Sequence, residues 1–146
     1  MKLSLGSDHG AYALKEHLKS WLAAQGHEVV DCGTYSTDSC DYPNFGKAAA
    51  EKVASGECDR GIVLCTTGIG ISITANKVKG IRCALCRDLL SARLTRQHND
   101  ANMLALAGGF TGSFEAERIV ETFLTTEFEG GRHQRRVDLV MDIEKN

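Results

Sequence analysis

A chain of 146 residues with 42% hydrophobic and 25% charged side chains is about one domain long and has enough apolar material for a buried core. Its formal net charge of −2 excludes the broad basic surface of a general nucleic-acid binder, while leaving room for a local anion site. No apolar run reaches the roughly 18 residues of a membrane span and the N-terminus lacks a signal peptide's apolar core, so a cytoplasmic protein without membrane attachment is expected.

Leu3 to Gly6 reads as a first strand, and Ser7, Asp8, His9 and Gly10 form a polar turn before a helix of about Ala11 to Gln25. Leu14, Leu18 and Leu22 recur every four residues and give that helix its buried stripe, and Gly26 is placed to end it. Asp8 and His9 therefore stand at a strand's carboxyl end, the edge where open α/β sheets bind ligands. The competing reading makes Asp8 a helix cap and His9 a surface residue. Glu28 to Cys32 is a second strand, after which the Ser-, Thr- and Asp-rich run Gly33 to Tyr42 reads as a long loop, often a functional feature in a small domain. Pro43, the only proline, stiffens the entry to a helix of about Asn44 to Ala54. Tyr42, just before it, either lines a site or packs beneath the loop.

Gly61 to Gly80, GIVLCTTGIGISITANKVKG, carries the strongest local signal. Ile62, Val63 and Leu64 suit a central parallel strand covered on both faces, and Cys65 ends it. Thr66, Thr67, Gly68, Ile69 and Gly70 give a loop whose glycines let the backbone approach a ligand, and a helix follows from about Ile71 to Val78. The first-turn N–H groups and the positive end of that helix suit a phosphate, an enediolate or a thiolate. An ordinary turn with an inert buried cysteine is the plainer alternative. Two named glycine motifs fail here: the P-loop needs a Lys where Ile71 stands, and the dinucleotide fingerprint needs a small residue where Ile73 stands. Asp88, about twenty residues beyond Gly68, is all that remains of a nucleotide reading.

Arg82 to Cys86 is a fourth strand, Leu89 to Arg96 a helix and Met103 to Ala107 a fifth strand. Arg96, Gln97, His98, Asn99, Asp100 and Asn102 form a polar cluster at that helix's end, where His98 serves either as an acid or base near neutral pH or as a capping residue. After Gly108 and Gly109, a helix of about Phe114 to Thr125 buries Ile119, Val120 and Phe123. The last element begins at Gly130 to Arg136 and runs as a helix to about Ile143. Arg132 and Arg136, four apart, project from one side and suit a single phosphate, or else form a solvated basic face.

The six cysteines read as reduced in a chain this long without a secretory signal. Cys83 and Cys86 make a CxxC, but within a strand residues three apart point to opposite faces and cannot share a metal. Cys32, Cys40, Cys58, Cys83 and Cys86 are expected to be small packing or surface residues. Strands alternating with helices imply one α/β domain, residues 1–146, with helices on both faces of a parallel sheet whose strand order is not legible.

Taken together, GSDHG (Gly6 to Gly10), DYP (Asp41 to Pro43), CTTGIGIS (Cys65 to Ser72), NK (Asn76, Lys77), RQHNDAN (Arg96 to Asn102) and GGRHQRR (Gly130 to Arg136) resemble the ribose-5-phosphate isomerase B and galactose-6-phosphate isomerase family over nearly the whole chain. The resemblance implies a Rossmann-like three-layer αβα domain with a five-stranded parallel sheet. It also implies a homodimer or dimer of dimers with a shared active site, and interconversion of an aldose phosphate and a ketose phosphate without metal or cofactor. By matching position, Cys65 resembles the catalytic base, Thr67 the hydroxyl that moves a proton between oxygens, and His98 the residue that opens the sugar ring. Asp8 and Asn99 resemble groups that hold hydroxyls and the ring oxygen, Tyr42 a residue of the pocket wall, and His9, Arg132 and Arg136 phosphate contacts. The backbone of Thr66, Thr67, Gly68, Ile69 and Gly70 resembles the enediolate-binding loop.

The chemistry asks for such parts on its own account: a base over one face of C1–C2, donors for the enediolate oxygen, a shuttle between O1 and O2, and a second acid or base to open the ring. Two positions depart from the family pattern: Thr66 stands where Gly is more usual, and Gly109 where some members have an Arg. The resemblance leads to ribose 5-phosphate as substrate, because one chain carries both Cys65 and the C-terminal arginines that two different subunits share in the galactose enzymes. Allose 6-phosphate and galactose 6-phosphate are the enzymatic alternatives. A non-catalytic sensor of sugar phosphate or nucleotide is the alternative from another class, one with no need for Cys65, Thr67 and His98 together.

Overall fold

The computed structural model describes residues 1–146. Five strands, β1 (Lys2–Ser7), β2 (Glu28–Asp31), β3 (Arg60–Cys65), β4 (Cys83–Leu85) and β5 (Met103–Ala107), pair in parallel in the order β2-β1-β3-β5-β4. The helices are α1 (Tyr12–Ala24), α2 (Tyr42–Ala54), α3 (Ile69–Asn76), α4 (Leu89–Asn99), α5 (Ser113–Thr125) and α6 (Arg132–Asp142). None is long and apolar enough to cross a membrane.

The two-residue period of the strands divides the core. Leu3, Leu5, Ile62, Leu64, Leu104 and Leu106 face α1, α4 and α5, meeting Leu18, Leu22, Ala92, Ile119 and Phe123. Val63, Cys65, Met103 and Ala105 face the opposite way, onto Ala49, Ala50 and Val53 of α2 and Ile71 and Ala75 of α3. The arrangement is the expected α/β sandwich. Cys83 packs toward the α2 and α3 side and Cys86 lies in the other cluster, as the strand geometry of the CxxC required.

Strand order places the ligand edge. β1 pairs with β2 on one side and β3 on the other, so chain direction across the sheet reverses between β1 and β3. At such a switch point the connections leave the two strand ends in opposite directions and open a crevice. Asp8 and His9 follow β1, and the loop Thr66 to Gly70 follows β3.

Several boundaries differ from the periodic reading. α2 starts at Tyr42 with Pro43 in its first turn, where a missing N–H costs nothing. α3 starts at Ile69 because Gly68, at φ +75°, turns the chain directly into it. α4 runs past Arg96 to Asn99 and stops where Asp100 adopts φ +46°, its carboxylate held by Arg96 Nη1 at 2.8 Å.

The loop between β2 and α2 is anchored by a buried charge. Lys15 on α1 is fully buried, its Nζ 2.6 Å from Asp31 Oδ1 and 5.4 Å from the ring centre of Tyr35. Asp31 also accepts from Lys19 at 2.9 Å and from the Gly33 N–H at 2.9 Å, while the Tyr35 hydroxyl donates to the Asp31 carbonyl at 3.1 Å. Burial works to raise the Asp31 carboxyl, but Lys15, the Gly33 N–H and Lys19 outweigh it and hold it below the usual carboxylate range. Because the folded value is depressed, this contribution is complete above the unfolded value of about 4 and is lost as pH falls through the folded one. Asp31→Ala leaves buried Lys15 with only the half-exposed Glu16 carboxylate, 3.1 Å away, and should cost about 3 kcal/mol in urea unfolding at neutral pH, with the gap from wild type narrowing below about pH 4. A variant within about 1 kcal/mol of wild type at neutral pH would show that Lys15 finds other partners.

Candidate active site

At the carboxyl edge of the sheet, Cys65 is the last residue of β3 and 5% exposed. Its Sγ accepts the Gly68 N–H at 3.1 Å. Gly68 is required twice over: its φ of +75° is left-handed, and a Cβ there would lie 2.9 Å from the Leu106 backbone. Thr67 Oγ1 accepts the Ile69 N–H at 3.2 Å and keeps its own hydroxyl proton to donate. The N–H groups of Gly70 and Ile71 have no partner in the loop and stand at the positive end of α3. The surroundings of most other cysteines oppose reactivity: burial pushes the Cys32 thiol up to about 11 and raises Cys58, Cys83 and Cys86 as well.

Asp8, His9 and Tyr42 gather on the same edge. Asp8 is buried and its Oδ1 accepts the Ala11 N–H at 3.1 Å, so the capping reading holds for one carboxylate oxygen. His9 is exposed, and its Nδ1 accepts the Cys40 N–H at 3.2 Å, which puts the proton of the neutral ring on Nε2. The Tyr42 ring rests on the glycine loop: a Cβ on Gly70 would lie 2.5 Å from its Cζ and 2.7 Å from its hydroxyl oxygen. Tyr42 therefore walls the loop rather than packing out of reach beneath its own. Thr66 is wedged between two glycines. A Cβ on Gly10 would collide with Thr66 Oγ1, and one on Gly109 would lie 2.9 Å from Thr66 Cγ2. The two departures from the family pattern, Thr66 and Gly109, thus touch each other.

His98, Asn99, Arg132 and Arg136 lie elsewhere. His98 and Asn99 end α4, Arg132 begins α6, and the Glu129 N–H donates to the Gln97 carbonyl at 3.2 Å, joining the two segments. This is the amino edge of the sheet. Gly61 pairs with Met103 there and Cys65 with Ala107 at the other end, so four residue steps, about 13 Å of strand, separate the levels. Arg96, next to His98, is structural: only 5% exposed, it donates to the Ala101 carbonyl at 2.6 Å and the Thr126 carbonyl at 3.2 Å. Asp88 caps α4, its Oδ1 accepting the Ser91 N–H at 2.6 Å, so a helix start accounts for the one residue that the nucleotide reading rested on.

His133 had no role assigned from sequence, although it sits inside GGRHQRR. Its ring stacks on His98 with centroids 4.4 Å apart and planes 14° apart, and it is 7% exposed. Burial, then the charges of His98 and Arg132, hold its pKa below the ordinary histidine value. His98, Glu129 and His133 form the one cluster with metal-ligand chemistry, their ligand atoms within 4.8 Å of one another. Near-parallel rings keep their in-plane lone pairs parallel, so both would have to swing before they pointed at one ion.

The profile of the family described as Ribose/Galactose Isomerase matches residues 3–140. The chain belongs to the ribose/galactose isomerase family. It is 45% identical to Ribose-5-phosphate isomerase B of Escherichia coli over 99% of this chain and 97% of that one. It is also 45% identical to Galactose-6-phosphate isomerase subunit LacB of Clostridium acetobutylicum, over 94% of this chain and 79% of that one. Among solved structures, Clostridium thermocellum Ribose-5-Phosphate Isomerase B superposes with a TM-score of 0.98 at 54% identity, covering 99% and 98% of the two chains. Ribose-5-phosphate Isomerase B from Mycoplasma genitalium with bound ribulose-5-phosphate gives 0.95 at 41% identity, covering 99% and 97%. This member of the isomerase family therefore has the family's three-layer fold as well as its motifs.

The wedge at Thr66 can be tested by its geometry. Gly10→Ala should destabilise by about 1–3 kcal/mol through overpacking, and Thr66→Ala should restore most of the loss, since the nearest atoms are then Asp8 Oδ1 at 3.4 Å and Thr66 Cβ at 3.7 Å, both at ordinary contact. Additive losses in thermal or urea unfolding would mean that the two residues do not meet.

Proposed function

We propose that this sugar-phosphate isomerase interconverts ribose 5-phosphate and ribulose 5-phosphate in the cytoplasm, as a homodimer or dimer of dimers whose sites each draw on two copies of the chain. The observation that carries the reading is Cys65: a thiol at a strand end, under the Gly68 N–H, beside the free N–H groups of Gly70 and Ile71. Those are a base and an oxyanion site side by side.

The sheet supports the shared site. Cys65 and His98 stand at opposite edges of one chain, so a substrate a few bonds long reaches both only if a second copy supplies one of them. Apolar side chains left exposed near each half suit such an interface: Ile69 and Ile73 on α3, and Leu139, Val140 and Ile143 beyond Arg136.

In the cyclic sugar, His98 gives a proton to the ring oxygen as its bond to C1 breaks, while the anomeric hydroxyl loses its proton to the Asp8 carboxylate and C1 becomes an aldehyde carbon. Asn99 holds the hydroxyls. The Cys65 thiolate takes the C2 proton, and the electron pair moves through C1–C2 to O1, giving an enediolate bound by the loop N–H groups. Thr67 carries the O2 proton to O1, the C2 carbonyl forms, and the Cys65 thiol returns its proton to C1. His9, Arg132 and Arg136 bind the phosphate. Tyr42 and Thr66 wall the reacting end, with no cofactor in any step.

Both edges in one chain favour the pentose phosphate, since this chain needs no different partner. The likeness to LacB keeps the hexose 6-phosphates in view, and an assay across ribose, allose and galactose phosphates separates them. A sensor would bind the same phosphate but leave the C2 hydrogen alone. Wild type should therefore exchange substrate hydrogen with deuterated solvent, and a folded Cys65→Ala protein should lose the exchange by at least about a hundredfold; near-normal exchange would remove Cys65 from the chemistry.

Subunit mixing tests the shared site. When inactive Cys65→Ala and Arg132→Ala chains are unfolded and refolded together, about half the dimers are mixed, each with one intact site, so roughly a quarter of wild-type activity should return. If both residues served a site within one chain, every site would carry a lesion. No recovery, with heterodimers confirmed by mass, would therefore exclude sharing.

A further inference from the structure

We propose that His133 is the positioning residue of the His98 acid: its ring, stacked flat on His98, fixes the plane of that imidazole and lies face-on to the charge it carries before giving up its proton. The proposal rests on the reading of His98 as the group that protonates the ring oxygen, and it extends that reading to a residue with no contact to substrate.

The geometry points one way. At 4.4 Å between centroids and 14° between planes, the stack lets His98 slide in its own plane but blocks it from tipping toward His133. His133 is itself anchored: its backbone N–H donates to the Gly130 carbonyl at 3.0 Å, its ring Nε2 lies 3.6 Å from Glu129 Oε2, and Val137, one turn on, is buried with it. Glu129 is tied to α4 through the Gln97 carbonyl, so the support is built from the same segment that carries His98. Burial, then the neighbouring His98 and Arg132, lower the His133 pKa and so favour its neutral form. A neutral aromatic face is what an imidazolium stacks on favourably, and a second charged ring is what it avoids. Without that face, the half-exposed His98 ring has no aromatic partner to hold its plane.

Two substitutions separate a ring face from mere bulk. His133→Phe keeps an aromatic face in the buried position, whereas His133→Leu keeps apolar packing without one. In the full-length enzyme, both should fold, by thermal melting. On ribose 5-phosphate, His133→Phe should stay within about threefold of wild type, while His133→Leu should lose roughly tenfold in kcat with KM little changed. On erythrose 4-phosphate, which cannot close a ring through its phosphorylated oxygen, both should match wild type. The double variant His98→Ala with His133→Leu should be no slower on ribose 5-phosphate than His98→Ala alone, because His133 acts only through His98.

Equal losses in the Phe and Leu variants, or losses that add to those of His98→Ala, would overturn the proposal even if the erythrose substrate is turned over too slowly to compare. A separate result bears on the reading beneath it: a His98→Ala enzyme equally damaged on both substrates would remove His98 from ring opening. The proposal alone fails if His98→Ala shows the ring-specific loss and His133→Leu does not.

Discussion

A parallel sheet has a direction, and the chemistry of this domain follows from it. Every strand ends at one edge and every connecting helix ends at the other, so side chains at strand ends and side chains at helix ends are held apart by the length of the strands. Cys65, Asp8 and His9 belong to strand ends. His98 and Asn99 belong to a helix end, and Arg132 and His133 follow the connection that returns to it. No local adjustment brings the groups together, because moving Cys65 would break its pairing with Ala107 in a sheet packed on both faces.

Given that polarity, the carboxyl edge is rigid for several separate reasons. Gly68 alone accommodates the turn that brings its N–H onto Cys65. Thr66 is gripped between Gly10 and Gly109, which ties the loops after β1 and β5 to the loop after β3. The long loop over His9 begins at a carboxylate that neutralises a fully buried lysine. A buried ion pair of this kind adds little net stability over an apolar pair, but removing one partner is expensive, so it fixes an arrangement more than it strengthens the fold. The amino edge is ordered by Arg96 in a similar way, through backbone carbonyls and Asp100.

Much of this was legible in the sequence. Alternating apolar runs and helical stripes located all five strands and six helices, because the period of burial is written in residue type. Some element ends were read less well. Tyr42, Ile69 and Asn99 are terminal helical residues whose state depends on a first-turn proline, a left-handed glycine and a left-handed aspartate, none of which changes the hydrophobic pattern. The site motifs were all visible as strings. What a string lacks is which edge each residue occupies, and that required the strand order β2-β1-β3-β5-β4. Asp88 looked available at its position and proved to be a helix cap. His133 was overlooked because its partner is thirty-five residues away, and a stack between two helices leaves no periodicity to detect.

The distance between the two edge clusters also bears on how such a protein diversifies. On the shared-site reading proposed above, a gene for this fold encodes two half-sites that complete each other only between copies. After duplication, one copy can lose its cysteine loop and the other its terminal arginines, and a mixed pair of the two still holds one complete site. Each copy is then useless alone and indispensable to the other. Specialisation into an obligate two-gene enzyme thus needs only losses, and the surviving site is released from the requirement that it be identical to a symmetry mate.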